Sequence, residues 1–344
     1  MAYTAIDNPE LYFQAKIYTG NGSTQSITLD GDTDMSPNLV WFSGRSNADD
    51  KPFFDTVRGT GEAIYSDLTN AEVSSATTLT AFDSDGFSIG NNGVVNTDTY
   101  TYVAWCWKAN GSGSSNTDGS VTTTVSANTD AGFSIVTYTG TGASATFGHG
   151  LSKAPEISFY KVRSDAYQWM VYIGNTLSST GLVLNDDSAV SSPGGTYGTH
   201  DADTFNLITN ADVNGSSKTY VSYHFHSVDG YSKVGSYTGN GDADGPFLFF
   251  GFSPSFIMFK RTDDTGHWVL KDNKRDTYNV ATSYFYANHN QDERSPSYNV
   301  DFTANGVKLR GTDLQFNASG GTFIYMAFAE APFVNSNGVP CNAR

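Results

Sequence analysis

The chain has 344 residues, with 35 Gly, 20 Tyr and 23 Phe but only 16 % charged residues, a strand-and-turn composition long enough for two or three cores. Its formal charge of −16 and its 19 scattered Lys and Arg leave no basic stripe for a phosphate backbone, so neither nucleic acid nor an anionic membrane is an expected partner. Two cysteines, Cys106 and Cys341, exclude a disulfide framework, and no apolar run reaches the roughly 20 residues that helical membrane insertion needs.

The N-terminal MAYTAIDNPELYF has no basic segment followed by an apolar run, and no secretory signal is read there. Residues 16–27, KIYTGNGSTQSI, carry a phrase that returns as VTYTGTGASATF at 136–147 and GSYTGNGDADGP at 235–246. A phrase repeated at domain-sized intervals marks tandem units. Thr, Gly and Asn suit a tight turn after an opening strand. A phosphate loop would need a following helix, and SITL or Asp-rich sequence follows instead. In the first unit a Pro-led apolar run, SPNLVWF from 36, precedes an aromatic strand, PFFDTVRG from 52. DLTNAEVSSATTL at 67–79 offers at most one short helical turn. FDSDGFSIGNNGVVN from 82 closes on an Asn. TYTYVAWCWKAN from 99 alternates, with Tyr102, Ala104 and Cys106 on one face and Val103, Trp105 and Trp107 on the other. Apolar on both faces, this strand belongs inside a sandwich or against a neighbour.

The Gly/Ser/Thr-rich stretch 110–130 reads as a linker, with VTTTVSA able to add a strand. The landmarks then repeat: APEISFYK from 154, YQWMVY from 167, DTFNLITNADVN from 203 and KTYVSYHFHSVDG from 218 in the second unit. SPSFIMFK from 253, GHWVLKDNKRD from 266, DFTANGVKLRGTDLQFN from 301 and GTFIYMAFAEAPF from 321 form the third. The expected fold is all-β: three tandem antiparallel β-sandwich units over 1–109, 131–228 and 229–334, with 335–344 as a C-terminal arm. Almost no linker separates the last two units, which predicts a fixed mutual orientation.

Asp30, Asp32 and Asp34 in LDGDTDM alternate around a Gly like half of a calcium loop, but the closing Glu and the flanking helices are missing. They are the one metal site the sequence offers; a plain acidic turn is the simpler reading, and no other cofactor is expected. Asp83 with Asp85, and Asp242 with Asp244, are weaker versions. His224 and His226 in YHFHS have a zinc-chelating spacing without a signalled third ligand, and read as structural. His149, His200, His267 and His289 stand isolated in turn-rich sequence. Glutamates are scarce and form no close pair along a strand, and no nucleophile elbow appears, so no catalytic residue is read and the chain is not expected to be an enzyme. The five Trp lie within strands and read as core rather than as sugar platforms.

Taken together, MAYTAIDNPELYFQAKIYTGNGSTQSIT, FDTVRG, FDSDGFSIG with YVAWCWKA, GFSIVTYTGTG with GHGL, GSYTGNG, and GGTFIYMAFAEAPF followed by GVP and AR resemble a family of virion proteins encoded by marine tailed bacteriophages. The resemblance spans essentially the whole chain and implies concanavalin-A-like jelly-roll units in a tail-associated or fibre-like protein. It carries over no catalytic residues, and YHFHS stands where relatives more often have a Cys-containing aromatic strand. The expectation is a non-enzymatic structural protein of the phage virion, assembled in the host cytoplasm. It would act as a tail fibre or adhesin subunit in host attachment, homo-oligomeric, touching other virion proteins and a host receptor or glycan. A capsid-decorating or filament-forming subunit is the second reading, and a glycan depolymerase the third.

Overall fold

Proline before a β-branched and aromatic run starts the central strand of each third of the chain, and Gly, Asn and Asp punctuate the turns between. A computed structural model describes residues 6–174, 177–190, 197–330, 333–334 and 340–341. The first third runs β1 (Phe13–Thr19), β2 (Gln25–Thr28), β3 (Leu39–Gly44), β4 (Pro52–Asp55), β5 (Glu62–Tyr65), β6 (Val73–Ser74), β7 (Leu79–Phe82), β8 (Gly86–Ile89), α1 (Gly93–Asn96) and β9 (Thr101–Trp107). The second runs β10 (Ser114–Asn116), β11 (Thr123–Asn128), β12 (Phe133–Thr139), β13 (Ala145–Gly148), β14 (Ile157–Val162), β15 (Met170–Ile173), β16 (Leu177–Val183), β17 (Thr204–Leu207), α2 (Ala211–Asn214) and β18 (Thr219–Phe225). The last runs β19 (Ser232–Thr238), β20 (Phe247–Phe249), β21 (Pro254–Arg261), β22 (Val269–Asp272), β23 (Phe285–Tyr286), β24 (Val300–Thr303), β25 (Gly306–Leu309), α3 (Leu314–Asn317), β26 (Thr322–Ala329), β27 (Phe333–Val334) and β28 (Pro340–Cys341).

The protein is all-β, built of antiparallel sheets facing one another as sandwiches. Three large sheets have the orders β1-β9-β3-β4-β5-β6, β10-β11-β12-β18-β14-β15-β16 and β19-β26-β21-β22-β23. Each faces a small sheet from its own third, β2-β8-β7, β13-β17 or β20-β25-β24. The alternation in β9 is as expected: Tyr102, Ala104 and Cys106 pack toward the small sheet of the first third, while Val103, Trp105 and Trp107 point the other way. That second face meets its counterparts in one shared core, where Trp107 lies against Phe225 and Phe328. The three thirds are therefore sides of one body around a common apolar centre. Residues 110–130 carry β10 and β11, which extend the second large sheet beside β12. Ser and Thr suit an edge strand as well as a tether, so composition alone reads this stretch as linker. The expected arm at 335–344 lies outside the described residues except for 340–341, which pair with β27. Among the described residues no helix is long and apolar enough to cross a membrane.

The repeated Tyr-Thr-Gly phrase closes a latch. Tyr18, Tyr138 and Tyr237 donate their hydroxyls to the carbonyls of Val95, Val213 and Phe316, at 2.7, 2.7 and 2.6 Å. Those carbonyls sit in α1, α2 and α3, four-residue helices too short for any helical stripe, and so missed from sequence. Each helix ends on a buried Asn, Asn96, Asn214 or Asn317, whose Oδ1 accepts the amide of Asn21, Thr141 or Asn240 at 2.8 to 2.9 Å. The glycines are forced on both sides of that amide. A Cβ on Gly20, Gly140 or Gly239 would stand 2.2 to 2.3 Å from a backbone oxygen, and Gly22, Gly142 and Gly241 have φ of 64°, 74° and 69°. No helix forms at 67–79, where β6 lies instead.

Ladder register makes Asp55, Ile173 and Asp272 equivalent, since each sits opposite the residue that faces Trp107, Phe225 or Phe328. At the seam between the first and second sheets Asp55 binds Arg58 at 2.5 Å and accepts the Tyr223 hydroxyl at 2.7 Å. Arg58 reaches Glu72 at 2.9 Å, and Glu72 is clamped by Arg163 at 2.7 Å. The seam between the third and first sheets repeats this. Asp272 binds Arg275 at 2.6 Å and accepts the Trp105 indole at 3.1 Å, and Glu293 joins Arg275 to Arg45. At the remaining seam Ile173, Met326, Thr262 and Val190 hold the corresponding places, and the backbone bond from the Val190 amide to the Thr262 carbonyl, 2.9 Å, is retained. All three seams share a buried ammonium donating to a neighbour's carbonyl: Lys161 to Thr69, Lys260 to Asp187 and Lys51 to Gln291. Burial pushes each down to about 8.

Candidate functional site

The sequence candidates disperse in space. Asp30 forms an ion pair with Lys16 of β1, the Asp32 amide donates to Glu10 at 2.9 Å, and Asp34 is exposed. Among the described residues no group of three or more His, Cys, Asp or Glu is placed to hold a metal, so Asp30, Asp32 and Asp34 do not converge as a ligand set. Asp244 is engaged by Lys308 at 2.9 Å and Arg310 at 3.4 Å.

His224 is buried between Ser158 and Ser222, each hydroxyl 2.8 Å from a ring nitrogen. His226 lies just past the strand end, its Nδ1 3.1 Å from the Ser227 carbonyl. The structure draws in two histidines that sequence leaves isolated. The His149 ring lies 5.9 Å from His224, and His200 stacks on Tyr172 at 3.8 Å with Nε2 2.9 Å from the Tyr160 hydroxyl. Loops distant in sequence bring them together, so no spacing could signal it. Burial holds His149 and His224 below the ordinary histidine range and takes His200 down to about 3. These are neutral rings filling a sandwich core.

Two glutamates do share a cleft. Glu10 and Glu330 line a cavity of about 270 Å³ with Gln14, Asn273 and Lys274 where the first and third sheets meet. Both already accept protein hydrogen bonds, Glu10 from Asp32 and Glu330 from Ser253 and Asn273.

All five Trp are buried, and three donate their indole across seams: Trp105 to Asp272, Trp169 to the Tyr65 carbonyl and Trp268 to the Val183 carbonyl. The exposed aromatics lie elsewhere. On β20, Phe247 is 45 % and Phe249 64 % exposed, on the outer face of the last small sheet. Cross-strand partners share a face, so Phe247, Lys308 and Asp301 form one row. Arg310, bonded to Asp301 at 2.6 Å and to Asp244 at 3.4 Å, continues it in charge. Tyr278 and Val280 are exposed beside the opposite edge, where Ala281 bridges to Val300. Register places Ser26 and Thr28 of β2, and Thr146 and Gly148 of β13, where β20 has Phe247 and Phe249. The signal missed was the substitution of Phe at these two outward positions; setting FLFF at 247–250 against SITL at 26–29 exposes it. A surface of two rings flanked by alternating charge can bind by contact.

A family model described as a domain of unknown function (DUF7483) matches residues 8–332. No curated protein and no solved structure matches the chain.

Proposed function

The chain belongs to the DUF7483 family, a domain of unknown function, and from that premise we propose that it is a non-enzymatic virion structural protein of a tailed bacteriophage, a tail fibre or adhesin subunit for host attachment. The observation that carries this reading is the shared core. Faces of all three large sheets are consumed in holding the body together, and the buried Asp, Arg, Lys and His are bonded within it rather than facing an open cleft. A body so braced transmits force and presents surfaces. The phage assignment is supported by the whole-chain resemblance of its phrases to virion proteins of marine tailed phages.

A filament-forming or capsid-decorating subunit is the second reading, favoured by the exposed aromatic edge of β20. A glycan contact on the same face would need its rings for stacking. Antibody labelling of phage particles, read by electron microscopy, tests the assignment: decoration of tails is expected, and particles that carry no label anywhere sink it. Incubation of the purified chain with host polysaccharide, followed by a reducing-end assay, tests the chemistry; sustained sugar release defeats the non-enzymatic reading.

A further inference from the structure

We propose that the open edge of β20 is a strand acceptor that joins two copies of this chain. Antiparallel ladders bond alternate residues to the neighbouring strand. The Phe250 amide donates to the Asn305 carbonyl at 2.9 Å and the Leu309 amide to the Pro246 carbonyl at 3.1 Å. Pro246, Leu248 and Phe250 thus bond toward β25, and the amides and carbonyls of Phe247 and Phe249 face away from the sheet.

The second third shows what such an edge takes. Thr146 and Gly148 are the equivalent residues, and there the outward groups are occupied. The Thr146 carbonyl accepts the Val121 amide at 3.1 Å, the Thr146 amide donates to Ser120 Oγ at 3.0 Å, and the Gly148 carbonyl accepts Thr123 Oγ1 at 3.0 Å. Residues 120–123 lie along β13, Val121 forming a single bridge to Phe147. On β20 no group among the described residues fills those places, and the two side chains that flank the vacant edge are aromatic and exposed. An edge strand with apolar side chains and unpaired backbone is a template for another strand.

The occupant is a second copy because the edge complements itself. About a twofold axis through Leu248, Phe247 of one copy faces Phe249 of the other, making two aromatic cross-strand pairs and one sheet continuous across both small sheets. The flanking row carries both signs, Lys308 and Arg310 beside Asp244 and Asp301. Two copies with a formal charge of −16 each can therefore approach here without a wall of like charge. The inference holds for an attachment subunit or a decorating one and rests on neither.

Sedimentation analysis of the intact chain up to about 100 µM, the range of weak interfaces, tests it beside a variant carrying Phe247→Ser and Phe249→Thr, the residues of the first third. The expected result is a concentration-dependent dimer for the native chain, a monomer for the variant, and equal melting temperatures. Hydrogen exchange at the Phe247 and Phe249 amides should slow at least tenfold as the dimer forms. A native chain that stays monomeric overturns the proposal. So does a dimer that survives the double substitution, or one that leaves those amides unprotected. Loss of glycan-array binding in the variant without any dimer gives the face to sugars and overturns it equally.

Discussion

The seam between the first and second sheets and the seam between the second and third solve one packing problem in two ways. The first buries Asp55 and Arg58 with the Tyr223 hydroxyl and half-buries Glu72 and Arg163 beside them; the other puts Ile173, Val190, Thr262 and Met326 in the corresponding places, and no ion pair joins its two sides among the described residues. Both seal, so charge is not required to join these sheets. Ion burial costs several kcal/mol per group, which attraction in a dry site offsets only when every partner is present. Desolvation lowers the guanidinium of Arg58, yet Asp55, Tyr223 and Glu72 hold it above the ordinary arginine value. The polar seam is thus intolerant of partial loss, and the apolar one degrades gradually.

The sharpest way to break the comparison is Arg58→Ala, which leaves Asp55 buried and unpaired. A loss of about 3–5 kcal/mol is expected in chemical denaturation, and a loss below about 1 kcal/mol would mean that the carboxylate is not sealed from water. Next comes conversion of one seam into the other. Asp55→Ile with Arg58→Met removes both charges together, and should cost less than about 2 kcal/mol, well short of the single substitution. If the double variant is as damaged as the single, the two seams are not equivalent.

Acid probes the sandwich core of the second third by another route. His200 has a folded value of about 3 against an ordinary 6.5, so the unfolded chain binds more protons between those limits and stability falls as pH drops from 6.5 toward 3. The slope from one such group is up to about 1.4 kcal/mol per pH unit. His149 and His224 act in the same direction. Glu72 in the polar seam is pushed up by burial but held below the ordinary value by Arg163 and Arg58, so its contribution is present above pH 4.5 and disappears only below it. His200→Gln should flatten the melting-temperature profile between pH 6.5 and 4 and leave the region below pH 4 steep. The smallest effect is reserved for the outer face: Phe247→Ser with Phe249→Thr should change monomer stability by no more than about 0.5 kcal/mol in urea, since neither ring is core.

What sequence makes legible here is local. Tyr18, Tyr138 and Tyr237 recur with their glycines because the latch is built within a few residues of each, and the period of two in TYVAWCW is a property of one strand. Apolar character on both faces of that strand says only that each face is covered. That the second face meets two other sheets depends on contacts such as Trp107 with Phe328, which no pattern within a segment encodes. DTVR at 55–58 and DNKR at 272–275 are visible as related phrases, but their pairing with Tyr223 and Trp105 is a matter of tertiary placement. The exposed rings are concealed in sequence because the phrase at 235–246 reads as an Asp-rich turn, and Phe247 and Phe249 follow it as an ordinary apolar run. The aspartates at 30, 32 and 34 attracted notice by composition, although Lys16 from a separate strand already answers one of them.

The bond from Arg45 to Glu293 and that from Trp105 to Asp272 join residues 248 and 167 apart, tying the beginning of the chain to its end. During synthesis the first sheet emerges with Trp105 and Trp107 bare and its last neighbour not yet made. Maturation therefore waits on late translation, and a transcript cut short anywhere before the final third yields a sticky fragment for proteases and chaperones rather than a smaller working part.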